Sequence, residues 1–309
     1  LFIKPLVRTL KNLSGKFSFI IGDLQTEPLT ASWFDQPLNV DFSTKEGAKA
    51  YQVAVNLNGN WQPAKTGFLP AAVNEALSGS VAWDGKVGIE LPYHAGATYN
   101  VELNGDLKNV SSHLPSPLAK PAGEPLPVNV KVDGNLNSFE LTGQAGADNH
   151  FNSRWLLGQK LTLDRAIWAA DSKTLPPLPE QSGVELNMPP MNGAEWLALF
   201  QKGAAESVGG AASFPQHITL RTPMLSLGNQ QWNNLSIVSQ PTANGTLVEA
   251  QGREINATLA MRNNAPWLAN IKYLYYNPSV AKTRGDSTQS SPFPTTERIN
   301  FRGWPDAQI

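Results

Sequence analysis

The chain has 309 residues, of which 41% are hydrophobic and 16% charged, and its formal net charge is -1. That balance suits a folded, sheet-rich chain and gives neither a basic field for nucleic acid nor a pull toward anionic membrane surfaces. There is no cysteine, which excludes a disulfide framework and a thiolate metal site, while 25 glycines and 24 prolines supply turns for many short strands.

Leu1 to Gly15 carries no clear period, and Phe17 to Ile21 can start a strand. Leu38, Val40 and Phe42 then alternate with polar residues, and Val53, Val55 and Leu57 repeat the beat up to Gly59. A period of two is the strand signature, because successive side chains point to opposite faces of a sheet. Pro70 to Leu77 fits two helical turns opened by proline. Val81 to Trp83, Asp84-Gly85, then Val87, Ile89 and Leu91 reads as a hairpin on a type I′ Asp-Gly turn. Tyr99, Val101 and Leu103 follow in the same rhythm.

Residues 111–127 hold five prolines and no period, so they form an extended crossing. Val128, Val130 and Val132 lead through Asp133-Gly134 to Leu136, Phe139 and Leu141, a second Asp-Gly hairpin. Arg154 to Leu157 and Leu161 to Trp168 pair around Gly158, and a second proline-rich crossing lies near 175–190. Asn192-Gly-Ala-Glu195 opens a helix over 193–207 with a cap close to a capping box and an apolar stripe of Trp196, Leu197 and Phe200. From His217 to Arg262 the alternation is strongest, through Ile218, Leu220, Leu225, Leu227, Leu235, Ile237, Ile255, Leu259 and Met261. Trp267 to Tyr276 fits helical and strand spacing alike, and 283–296 reads as a polar, mobile loop. With Leu1 first and Trp304 to Ile309 reading as a strand in progress, an internal fragment of a longer chain is expected. Any membrane anchor then lies outside it, since no apolar run here is long enough to cross a bilayer.

Constellations for catalysis are missing from the sequence: no nucleophile elbow, phosphate loop or H-E-x-x-H occurs, and no cofactor or metal is expected. His94, His113, His150 and His217 never pair at metal-ligand spacing. Asp164 and Asp171 flank Trp168, which a glycosidase can use as a carboxylate pair with a sugar platform; sheet-edge charges and a core tryptophan explain the same residues. Four glycosylation sequons carry no weight, because alternating Asn, Ser and Thr on a polar strand face generate them. Two architectures fit the long apolar series: a β-sandwich in which one greasy face packs on another, or a curved sheet whose apolar face stays open to a greasy ligand.

The run Leu225-Ser-Leu-Gly228, Trp232-Asn-Asn-Leu235, Gly245 to Gly252 and Ile255-Asn-Ala-Thr-Leu259 resembles the repeat of AsmA-like proteins. Ala265-Pro-Trp267 to Leu274 and Arg302-Gly-Trp304-Pro305 are similar to that family's closing strand and following W-P element, so 267–276 is taken as strand. Leu29-Thr-Ala-Ser-Trp33, Leu114-Pro-Ser-Pro-Leu118-Ala-Lys-Pro121, Arg154-Trp155 and Arg165-Ala-Ile-Trp168 resemble a long periplasmic branch of the family.

The resemblance implies an all-β fold: an elongated, twisted, antiparallel β-groove, U-shaped and open, with one or two short helices. It implies a bridge-like lipid-transfer design, related to TamB, that hangs from the inner membrane of a Gram-negative cell and carries phospholipids toward the outer membrane. The implied partners are phospholipid acyl chains in the groove and the two membranes, reached through other parts of the chain. On this basis the expected groove lining is Val53, Val55, Leu57, Val87, Ile89, Leu91, Val101, Leu103, Val128, Val130, Val132, Leu161, Leu163, Leu225, Leu227, Leu235, Ile237, Leu259 and Met261. Trp196, Leu197 and Phe200 either plug the groove or pack as core beneath the sheet. A non-transporting periplasmic scaffold or glycan-binding sandwich is the alternative.

Overall fold

The computed structural model describes residues 11–20, 23–66, 69–204 and 212–278. Period-two segments rich in Val, Ile, Leu and Thr pair into one 20-stranded sheet. At one end β1 (Lys11–Ser14) and β2 (Phe17–Ile20) act as one interrupted strand, and β3 (Asp23–Thr26) and β4 (Leu29–Trp33) as the next. β1 pairs with β4 and β2 with β3. β5 (Gln36–Glu46) and β6 (Ala50–Trp61) follow, and then a short helical turn and α1 (Ala71–Asn74). β7 (Leu77–Gly79) leads into β8 (Val81–Pro92) and β9 (Thr98–Asp106), and β10 (Val110–Ser112) returns to β7 in a separate two-stranded ribbon.

β11 (Pro127–Asn135), β12 (Ser138–Ala145), β13 (Asn149–Leu157) and β14 (Leu161–Ala170) continue the antiparallel ladder. Three short pieces then share the position beside β14: β15 (Gly183–Asn187), β16 (Met191–Asn192) and, after α2 (Gly193–Ala204), β17 (Ala212–Ser213). β18 (Ile218–Leu227), β19 (Gln230–Thr242), β20 (Gly245–Gln251), β21 (Ile255–Arg262) and β22 (Leu268–Leu274) restore the antiparallel meander. At about 4.8 Å per strand the ladder runs roughly 70 Å across its strands. Among the described residues its outermost strands do not pair with each other, so it is an open sheet and not a barrel.

The expectation of a wholly antiparallel sheet needs one correction. β15 runs parallel to β14 and β18 runs parallel to β15. Both crossovers advance the same way along the sheet but pass over opposite faces. Residues 171–182 lie on the polar face, where Asn152 donates to the Pro176 carbonyl at 3.3 Å and Arg165 to the Pro179 carbonyl at 3.2 Å. The second crossover carries α2 over the apolar face. Two crossovers on opposite sides have opposite hands, so only one of them follows the usual right-handed preference.

Both Asp-Gly hairpins are also corrected. Asp84-Gly85 sits inside the 12-residue β8 and Asp133-Gly134 inside β11. Gly85 lies between Leu57 and Leu103, and a Cβ there would come within 2.7 Å of Leu103 Cδ2, so the close approach and not a turn uses the glycine. Pairing on both sides outweighs a local turn preference. The actual reversal after β11 is an Asx-type turn, in which Asn135 Oδ1 accepts from the backbone of Asn137 at 2.8 Å and of Ser138 at 3.1 Å. One of the two-residue reversals, between β4 and β5, uses Phe34 (φ 52°) and Asp35 (φ 56°). The strain at Phe34 is offset by its buried ring, which packs on Trp33 and Trp61.

The helix starts where expected. Asn192 Oδ1 accepts from the Ala194 backbone N–H at 3.1 Å, and the Asn192 side chain donates through Nδ2 to Glu195 Oε1 at 2.8 Å. Of the range 193–207, residues 205–207 fall outside the described residues, as does the loop expected at 283–296. Helix α1 is a single turn where two were expected.

Candidate functional site

Register places the apolar side chains in lanes that run across the strands. One lane passes from Leu29 through Val40, Leu57, Gly85, Leu103, Val130, Gly143, Phe151 and Trp168, and then through Leu186, Leu220, Ile237, Ala250 and Ala257 to Ile271. A neighbouring lane takes Phe42, Val55, Val87, Val101, Val132 and Leu141 on one side of Ser153, and Val248 and Leu259 on the far side of Ser239. A third joins Val53, Ile89, Tyr99, Gly134, Phe139, Trp155 and Leu163. The opposite face is a polar row, with Asp41, Asn56, Lys86, Glu102, Lys131 and Thr142 in consecutive cross-strand positions. The Phe151 ring lies over Gly143, where a Cβ would meet it at 1.8 Å, so the floor stays low at that crossing.

The expected lining residues fall on this apolar face. Leu91 is opposite Tyr51, Leu161 opposite Leu157, Val128 between Gly105 and Ala145, and Met261 opposite Thr246. Leu235 and Ile237 share the face through their partners Thr222 and Leu220. Leu225 and Leu227 lie an odd number of residues from Leu220, which in an unbroken strand means the other face. Leu225 nevertheless packs against the same cluster as Leu220. The strand changes phase between them, where Pro223 stands opposite Asn234, whose φ is 49°.

Most of this face is half-buried. In β6 the lane residues are half-buried and their neighbours exposed, in strict alternation. No side chain among the described residues is less than 2% exposed. A sandwich interior would bury its middle layer fully, so no second sheet of the described residues covers these lanes. Two places are covered. At the first strands Leu38, Phe34 and Trp61 pack with Trp33 and Trp83, and Leu29, Ala31 and Val40 bury beside them against Phe42, Val55 and Leu57. In the middle, α2 lies on the floor: Trp196 and Met191 bury with Ala170 and Met188, against Trp168, Leu186, Leu220, Leu225 and Leu118.

The covering body is tied together by polar bonds. Trp196 Nε1 donates to the Ser116 carbonyl at 3.0 Å, Lys202 pairs with Glu75 beside α1, and the His113 amide donates to the Ala76 carbonyl at 2.9 Å. Leu197 does not join the apolar stripe and is half exposed; Leu199 takes that place. The side chain of Phe200 lies outside the described residues. Sequence reading missed Leu199 and Leu118, although Leu199 stands three residues from Trp196, the spacing that marks one helix face.

A profile of the family described as YhdP protein matches residues 1–309. The chain belongs to the YhdP family. It is 96% identical over 309 residues to the Escherichia coli (strain K12) protein named intermembrane phospholipid transporter YhdP, and it spans 24% of that relative's length. No solved structure matches the chain.

For this YhdP-family chain the carboxylate pair considered above does not assemble. Asp164 sits at the bulge of β14 beside Arg165 Nε at 3.3 Å, and Asp171 lies past the strand's end. The six residues of strand between them put them about 20 Å apart, beyond the span that glycosidase chemistry requires. No group of three or more His, Asp or Glu among the described residues could hold a metal ion, and no described helix is long and apolar enough to cross a membrane.

A buried carboxylate anchors the last strands. Glu254 is 4% exposed; its Oε2 accepts from the Asn233 amide at 2.6 Å, and its Oε1 from the side chains of Asn233 at 2.8 Å and Asn277 at 3.1 Å. Burial opposes its charge, but the donors from Asn233 and Asn277 outweigh that and hold the carboxyl below its ordinary range. A depressed folded value means stability that is present above the unfolded value and lost as pH falls through the folded one. The protection of the Asn233 and Tyr275 amides, taken against their intrinsic exchange at each pH, is therefore expected to fall once the pH drops below the ordinary carboxylate range, and Glu254→Gln to remove that acid dependence.

Proposed function

We propose that this chain is one continuous segment of a phospholipid-carrying trough that lies between two membranes. The acyl tails occupy the apolar lanes and the head groups stay in water. The observation that carries the reading is the apolar lane that runs unbroken from Leu29 to Ile271, with shorter lanes beside it, half-exposed over most of its length and with no second sheet of the described residues on it. The name of the Escherichia coli relative points the same way. The periplasm is the compartment this reading implies, and the membranes are reached by parts of the longer chain.

The energetics suit conduction. Each CH₂ removed from water is worth about 0.8 kcal/mol, so an open trough holds a tail without any specific contact. A tail in a bilayer is already out of water, so transfer into the trough is close to balanced and a tight pocket would only trap it. A leaflet's tail, about half of a ~30 Å hydrocarbon core, covers about three strand spacings. It can therefore move from one set of equivalent contacts to the next. No bond is made or broken, and the reading needs no catalytic group.

The chain purified in mild detergent and then extracted with organic solvent is expected to release phospholipid. Recovery of none, with the sheet folded by circular dichroism, would leave a scaffold or glycan-binding role instead.

A further inference from the structure

We propose that the body formed by α1, α2 and residues 113–120 is a gate on the apolar floor, and that Trp196 decides whether acyl tails pass beneath it. The inference rests on the trough reading and adds to it a point of control.

The longest lane runs under this body. Phe151, Trp168, Leu186, Leu220 and Ile237 occupy successive cross-strand positions, and Trp196 packs on the middle of that series. Its ring centroid is 6.5 Å from that of Trp168. A tail travelling from β9 toward β21 therefore meets the indole.

The contacts suit a movable part. Carbonyl, amide and ion-pair bonds hold the body to itself, through Trp196 to Ser116, His113 to Ala76 and Lys202 to Glu75. The contact of Trp196 with the floor is made with apolar side chains, while polar bonds to the sheet sit at the footing before α2, from Thr222 to the Pro189 carbonyl and from Ser226 to the Met191 carbonyl. An acyl tail offers the floor the same kind of contact as Trp196, so lipid can replace the indole without exposing apolar surface to water. Polar surface in that place would have to be desolvated each time. The footings are short as well: β16 and β17, on either side of α2, are two residues each, whereas the flanking β18 has 10. Elements with so little pairing open at small cost.

The test places Trp168→Cys and Leu199→Cys, both packed against the cluster around Trp196, in the full chain and bridges them with a short, reducible thiol cross-linker. The segment has no cysteine of its own to compete for the reagent. A photo-reactive residue at Val101 or at Leu259, on either side of the gate, reports phospholipid by covalent labelling. With the bridge closed, labelling at one of the two positions should fall by about tenfold or more while the other is kept, as for a two-state element held in one state. Cutting the bridge should restore it, which also shows that the pair has folded. Equal labelling at both positions with the bridge closed and cut would overturn the gate and leave the trough standing. No labelling at either position with the bridge cut would overturn the trough reading itself. Independently, Trp196→Ala should raise labelling from a photo-reactive residue at Leu220 several-fold; an unchanged signal there would also overturn the gate.

Discussion

Val101→Asp is expected to cut phospholipid delivery by roughly a hundredfold while the protein still folds. Val101 lies in the middle of the sheet, with Val87 on one side and Val132 on the other in the same lane. A carboxylate there puts a charge where tails must slide. A charged side chain in the middle of a hydrocarbon layer costs about 2.5 to 3.5 kcal/mol, and each 1.4 kcal/mol is worth about tenfold in rate. The fold should survive because Val101 is half-buried and its charge can reach solvent when no lipid is present. Gln52→Asp is the matched control. Gln52 is exposed on the polar face between Lys45 and Glu90 and meets no tail. Transfer of labelled phospholipid between donor and acceptor vesicles would check both. Equal loss in the two variants would mean that the lanes are not the path.

Trp61→Ala is expected to cost about 3 to 5 kcal/mol, the range for removing a large buried aromatic side chain. Trp61 is 7% exposed, its Nε1 donates to the Pro37 carbonyl at 2.6 Å, and its ring lies 4.7 Å from that of Trp83 and 6.0 Å from that of Trp33. The loss should be local. In a long sheet, each strand touches only its neighbours, and no shared core links the two ends. Hydrogen exchange should therefore accelerate in β4, β5, β6 and β8 while β19, β20 and β21 keep their protection. A uniform acceleration across the sheet would show a cooperativity that its contacts do not suggest.

The apolar face was legible in the sequence because a period of two encodes a face locally. Val53, Val55 and Leu57 need no distant partner to lie on one side of β6. The helix start was legible for the same reason, since Asn192 and Glu195 cap it from within four residues. Local signals misled where the ladder overrode them. Asp84-Gly85 and Asp133-Gly134 carry turn chemistry, yet each lies in a strand paired on both edges. Strict alternation from Leu220 would put Leu225 on the other face, and only the change of phase near Pro223 and Asn234 brings it to the cluster that Leu220 joins. Glu254 had no visible signal, because its donors come from 21 and 23 residues away and their side chains are ordinary asparagines.

By itself the sequence determined that this protein is a sheet with one oily and one wet side, that it has a helix opening at Asn192, and which side chains are oily. Only the tertiary structure decided how much of the oily side is covered. The contacts that settle it join Trp196 to Ser116, 80 residues away, and Lys202 to Glu75, 127 residues away. Alternation is a property of neighbouring residues on one strand. Coverage depends on which distant segment comes to rest on that strand, and a parallel crossover between β15 and β18 brings the helix there.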